Sequence, residues 1–280
     1  MAILLLVLAF GVLAWLLAIA GTILAHAGFT LSRDGDFLYI KRGLLERREA
    51  TIPLARIQAV RIIEGVVRQP FGLASLRVES AGYGEASGVS TTLFPLLPRK
   101  DAETLLLDAA PEFSAAPALE PLPPRALRRY VFRSALPVVL VAAAVAVASP
   151  LAFDLAAWGF FATLLLAIPA ALHGWLRYRD AGWASTEDLL VVRSRLLART
   201  TIKAPRRRLQ SREVIQSPLQ RRVRLATFRA QVASGGGGAE LRVTDLGSRD
   251  AEALTRELGP RPTRGPGYRN RGRSPAPDEM

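Results

Sequence analysis

The chain has 280 residues, half of them apolar, with no cysteine and a formal net charge of +13 at pH 7. The missing cysteine excludes disulfides, thiol catalysis and cysteine-ligated metals. An apolar content this high in so basic a chain directs the reading first to membrane segments, then to anionic partners.

The first block is "AILLLVLAFGVLAWLLAIAGTILAHAGF", residues 2–29, which carries no Lys, Arg, Asp or Glu. About 20 helical residues cross a hydrocarbon core roughly 30 Å thick, so this run is long enough to span. A signal peptide is the rival, with "AHA" at 25–27 as a cleavage site. The run lacks a basic n-region and exceeds the usual apolar length, which favours a retained span.

Short strands are predicted next. "FTLSRDGDFLYIKRG" reads as two strands around Asp34-Gly35, a dipeptide suited to a tight hairpin. "ERREATIPL", "IQAVRIIEG", "LASLRVESAG" and "VSTTLFPL" are further candidates, with Leu76 and Val78 inward and Arg77 and Glu79 outward. "PRKDAETLLLDAA" opens with Pro98 and reads as an amphipathic helix. "PEFSAAPALEPLPP", residues 111–124, is proline-rich and reads as a stiff linker.

Two more apolar runs follow, Ser134 to Phe153 and Leu155 to Leu176, separated by Asp154 alone. With Pro150 just before the break, they predict a transmembrane helical hairpin, since one continuous helix would leave Asp154 in lipid. Arg125, Arg128, Arg129 and Arg133 precede the hairpin, and Arg177 and Arg179 follow it. The positive-inside rule then puts both soluble segments in the cytoplasm and Asp154 outside.

The second soluble segment repeats the first. At a constant offset of 152, residues 38–79 match 190–231 without a gap, with identities that include Pro53/Pro205, Gln58/Gln210, Ile63/Ile215 and Arg77/Arg229. Its end repeats the pattern too: Ser248 as N-cap, "RDAEALTREL" as helix, Gly259 as stop. Several strands followed by one helix suggest a small antiparallel barrel closed by that helix.

The stretch "GLLERREATIPLARIQAVRIIEGVVRQPFGLASLRVESAG" resembles the core of the YdbS/YdbT-like family of bacterial pleckstrin-homology-like domain membrane proteins, through its Gly-Leu-Leu start, "IPLARIQ" and "FGLASLRVE". The second copy matches through "RLLART", "PRRRLQ" and "RLATFRA", with Arg224 where the first copy has Gly72. The resemblance covers both soluble segments and implies split β-barrels, each capped by a C-terminal helix, with no catalytic residues. Longer members of the family begin with a complete hairpin and a further domain. The chain therefore reads as a short member or as part of a longer one.

Other motifs carry bland readings. "GGGG" at 235–238 lacks the Gly-Lys-Ser/Thr of a phosphate loop and reads as a hairpin turn, as does "GYGEASG" at 82–88. His26 and His173 end apolar runs without the acid or thiol pattern of a metal site. No Asp, Glu, Lys or Arg lies inside the apolar runs, which favours an anchor over a transporter.

The arginines are uneven. Residues 28–124 hold 11 basic and 12 acidic residues, whereas residues 177–264 hold 19 and 9. Between 204 and 230, eight arginines face Glu213 alone. Three readings stay open: a solvated positive-inside surface, contact with anionic headgroups, and nucleic acid. The last is disfavoured because Phe228 is the only aromatic between 184 and 267, leaving no stacking platform.

The expectation is therefore an α+β chain with membrane helices: two small PH-like split β-barrels, each capped by a C-terminal helix, plus three transmembrane helices. Its boundaries are 2–27 for the first span, 28–112 for PH-like domain 1, 113–130 for the linker, 131–176 for the hairpin, 181–260 for PH-like domain 2 and 261–280 for a disordered basic tail. The expected role is non-catalytic binding or scaffolding at the cytoplasmic face of the bacterial cell membrane. The alternative is an accessory subunit of an envelope-stress or export complex. Anionic-lipid contact falls to Arg206, Arg207, Arg208, Arg221, Arg222 and Arg224. No catalytic residue, metal or cofactor is expected. The expected partners are the bilayer and a second membrane protein of the same family, or another copy of the chain, and not nucleic acid.

Overall fold

The computed structural model describes residues 9–17, 20–21, 24, 27–44, 47–80, 92–148, 153–233 and 239–259. Both predicted turns, 82–88 and 235–238, His26 and the tail fall outside these residues. Residues 9–17 form a helix, α1. The first soluble segment then supplies six strands: β1 (Thr30–Asp34), β2 (Phe37–Arg42), β3 (Arg48–Pro53), β4 (Ile57–Glu64), β5 (Leu73–Ser80) and β6 (Thr92–Pro98). Helix α2 (Ala102–Ala109) closes it.

Strands β1 to β3 make one antiparallel sheet, and β4 to β6 begin a second. Gly35, at φ +56°, turns β1 into β2 as the Asp-Gly pair predicts. Period-two alternation sends Leu38, Ile40, Ile52, Ile57, Val60, Ile62, Leu76 and Val78 between the sheets, where Leu106 of α2 covers them. Phe113 closes this core, whose described members lie between Phe29 and Phe113.

The second segment follows the same plan. Its strands are β8 (Gly182–Ser185), β9 (Leu189–Arg195), β10 (Arg199–Pro205), β11 (Leu209–Ile215), β12 (Leu225–Val232) and β13 (Ala239–Gly247). The 3₁₀ turns at Leu54–Arg56 and Arg206–Arg208, and strands β5 and β12, stand 152 residues apart. A five-residue helix, α5 (Pro218–Arg222), is capped by Ser217 and Gln220 bonding reciprocally. The closing helix α6 (Ser248–Glu257) starts at Ser248, so Gly247 takes the cap position expected of that serine.

The two segments are not separate barrels. Strand β4 of the first pairs antiparallel with β10 of the second, from Arg199 opposite Glu64 to Lys203 opposite Val60. One seven-stranded sheet results, in the order β6-β5-β4-β10-β9-β8-β7, whose last strand is the linker pair β7 (Glu120–Pro121). Two strand edges that would otherwise be open satisfy each other.

Between the segments run α3 (Arg125–Ala148) and α4 (Phe153–Asp180). Gly174 lets them touch at their root, since a Cβ there would lie 2.6 Å from the Val131 Cα and 2.8 Å from the Tyr130 carbonyl. This pair corrects the expectation of three transmembrane helices: among the described residues, no helix is long and apolar enough to cross a membrane. For α3 the reason lies in where its first turns go. Arg125, Arg129, Tyr130 and Arg133 bond to the second domain, so α3 keeps only Ser134–Ala148 as apolar helix, about 22 Å at 1.5 Å per residue. At the other end Tyr178 donates to the Leu122 carbonyl and Arg177 to that of Arg195. The described part of α1 covers about 14 Å. Arg125, Arg129, Arg133 and Arg177, four of the six flanking arginines, are engaged in bonds within the molecule, and the placement of Asp154 outside loses its support.

Candidate functional site

The chemistry concentrates around the second domain. At the seam, Glu64 is buried at 3 % exposure and its carboxylate is clasped by Arg199 of β10, with Arg99 at 3.6 Å. Arg199 also approaches Asp180, 3.6 Å away, which binds Arg195. Arg195 reaches back to the first domain through Gln69, at 2.6 Å. Such a pair gains from low dielectric, and its removal on one side strands the other charge.

Lys203 tightens the same joint. It is 1 % exposed and donates to the carbonyls of Ala115, at 3.0 Å, and Ser114, with Glu103 at 3.7 Å. Burial pulls its pKa below the usual lysine value, and the Glu103 charge works against that shift. The linker is thus strapped onto β10 by a buried cation.

The six arginines predicted to meet headgroups divide into two sets. Arg208 binds Glu112 at 2.8 Å and lies 5.5 Å over the Phe113 ring, and Arg207 binds Glu112 at 2.9 Å. Arg206 pairs with Glu257 and donates to the Ser185 hydroxyl. Arg206 and Arg207, with Arg212, border a groove of about 810 Å³ whose lining acids, Glu112, Glu187, Asp188 and Glu257, outnumber its arginines. Arg206, Arg207 and Arg208 each have an acid of the chain beside them, while the Arg207 side chain stays 72 % exposed. Arg221, Arg222 and Arg224 are exposed, and no ion pair engages them among the described residues. Phe228, the lone aromatic of the nucleic-acid argument, is fully buried.

Sequence reasoning missed Asp245. It is completely buried, has φ +59°, and accepts from Arg129 at 3.0 Å, Arg133 at 2.6 Å and Gln220 at 2.7 Å. Tyr130 beside it donates to the Thr244 carbonyl. Burial, then the Asp245 charge, pushes the Tyr130 pKa up to about 12. A lone aspartate inside the apolar-alternating "ELRVTDLG" was the available signal, because an unpaired buried charge is not tolerated in a strand.

Exposed apolar surface collects elsewhere. Phe132, Leu136, Val139, Leu140 and Val141 of α3, and Phe161, Leu165, Leu166, Ile168, Leu172 and Trp175 of α4, are open to their surroundings. Their root stands beside Arg224, whose carbonyl accepts from Arg125.

Antiparallel sheets closed by a C-terminal helix are the architecture of a pleckstrin-homology-type domain. The model of the bacterial PH domain matches residues 2–109 and again 135–261, and the chain belongs to that family. It is 36 % identical over 242 residues to the UPF0699 transmembrane protein YdbT of Bacillus subtilis (strain 168), an alignment covering 85 % of this chain and 48 % of that protein. The chain therefore spans about half the length of the curated relative that it matches. No solved structure matches it.

Proposed function

We propose that the chain is a membrane-associated protein of two repeated PH-like domains, which binds and scaffolds at the cytoplasmic face of the bacterial cell membrane and does no catalysis itself. The observation that carries this reading is the exposed apolar surface of α3 and α4, rooted directly in the second domain. An apolar patch this extended marks an interaction surface, and lipid is the occupant we assign to it. The printed name of the Bacillus subtilis relative, a transmembrane protein, supports a membrane setting. Anionic headgroups meet Arg221, Arg222 and Arg224, which are exposed beside that root, each worth about 1 kcal/mol near an anionic leaflet.

The test is fractionation of cells expressing the full chain, followed by washing of the membranes. The chain is expected to stay with membranes through a 1 M salt wash, because apolar contact is not screened as ionic contact is. Replacing Leu140, Leu165 and Leu166 together with glutamine should release it. Recovery of the unaltered chain in the aqueous fraction sinks the proposal.

A further inference from the structure

A second cleft, of about 360 Å³, lies where α3 and α4 enter the second domain. Its walls bring together Arg133 of α3, Arg177 of α4, Arg193 and Arg195 of β9, and Arg242 of β13, around the Tyr130 ring. Two carboxylates serve this cluster, and both are committed. Asp245 is held by Arg129 and Arg133, and Asp180 by Arg195 and Arg199.

Three guanidinium groups are left without a carboxylate among the described residues. Arg177 donates Nε to the Arg195 carbonyl, at 3.2 Å, and Arg193 donates Nε to the Asp180 carbonyl, at 2.8 Å. Each bond uses one donor of five and goes to a neutral carbonyl, and Asp180 and Glu64 act on Arg193 only through their charge, without an ion pair. Arg242 is exposed on β13 with no ion pair. The Tyr130 face fixes two of the groups, with Arg133 at 5.7 Å and Arg177 at 5.9 Å from the ring centroid. Burial, and next the charge of Arg199, pulls Arg193 below its ordinary pKa, as expected of a cation crowded by cations.

We propose that this cleft binds a phosphate group, taken as the phosphodiester of an anionic phospholipid or as free phosphate, through Arg177, Arg193 and Arg242. Planar guanidinium forks match phosphate oxygens in pairs, and a cleft lined by one sign of charge concentrates the opposite ion. The lipid source rests on the membrane reading above, because the cleft sits at the root of the exposed apolar helices. The phosphate site itself does not depend on that reading.

The experiment uses the full chain in neutral detergent. Inorganic phosphate is titrated in one arm and micellar phosphatidylglycerol in another, with phosphatidylcholine as the neutral control, and binding is read by calorimetry. Saturable binding in either charged arm is expected, and the arm in which it occurs names the source. Arg242→Gln and Arg177→Gln should each weaken it about tenfold, the loss of one charge-assisted contact. Arg177→Lys, which keeps the charge, should weaken it less, and Arg256→Gln, on the exposed face of α6, should leave it unchanged. Circular dichroism checks that the variants fold, and the exposed Arg242 serves if Arg177 variants do not. No binding in either charged arm, equal binding of phosphatidylcholine, or binding indifferent to Arg242→Gln overturns the site. Cell membranes capturing a chain that binds no phosphate would separate this failure from failure of the membrane reading.

Discussion

The two domains share a strand plan and differ in what completes them. The first fills its core from its own described residues, between Phe29 and Phe113. The core of the second takes in Leu122 of the linker, Ala126 and Tyr130 of α3, and Ala59 of the first domain. Its polar centre is likewise completed from outside, since Arg129 and Arg133 of α3 neutralise Asp245. One strand plan thus serves as a self-contained unit in one position and as a receptacle for the helices in the other. The charge difference follows the same division. Part of the arginine excess in the second domain faces acids of the first segment, Glu64 and Glu112.

Edge strands show the division as well. β4 carries "IQAVRIIE" and is buried at alternate positions where β10 pairs with it. Its counterpart β11 carries "LQSREVI", mostly exposed and polar, and ends a sheet. Charged residues on a free edge discourage further pairing.

The sharpest way to break the comparison is Asp245→Ala. Two arginines would be left facing a buried void in the second domain alone, with an expected loss of about 3–5 kcal/mol in denaturant melts. If hydrogen exchange quickened equally in both domains' cores, the receptacle description would fail. Glu64→Ala removes the buried acid of the seam and should cost about 3 kcal/mol. Exchange at β4 and β10 should rise together while β1 to β3 keep their protection.

Tyr130 offers a pH test. Its phenol is held neutral up to about 12 in the fold, above the ordinary 10.0. Its contribution is therefore whole below pH 10 and is lost as pH rises through about 12. The shift of about two units corresponds to roughly 2–3 kcal/mol, and Tyr130→Phe should flatten the alkaline limb of the stability profile. Gly174→Ala should cost about 1–2 kcal/mol, because its methyl would meet Val131 and Tyr130 backbone. Unchanged thermal stability would mean that α3 and α4 part at their root without cost.

The smallest effect compares one turn in both domains. Gly72 and Arg224 stand 152 apart and both take positive φ, 63° and 53°. Glycine adopts this freely and arginine does not, so Arg224→Gly should stabilise by about 1 kcal/mol. Gly72→Arg should destabilise by a similar amount, read as the midpoint shift in urea.

Much of this was legible in the residues. Alternating "LRVES" and "FLYIK", the Asp-Gly turn and the offset of 152 depend on local chemistry and on period, which a sequence carries directly. The six arginines were visible as a cluster, but not their division, because Glu112 and Glu257 are distant in sequence from Arg206, Arg207 and Arg208.

By itself, the sequence determined the strand and helix plan, the family and the charge imbalance, all of which follow from residue type and spacing. Only the tertiary structure decided the rest. It joined β4 to β10, turned Arg129 and Arg133 of α3 from apparent topology signals into ligands of Asp245, and left Arg177, Arg193 and Arg242 without a carboxylate partner among the described residues around one cleft. Pairing of charges is a property of distance in space. Edge pairing depends on which backbone groups the rest of the fold leaves unsatisfied, and neither is written in the order of residues.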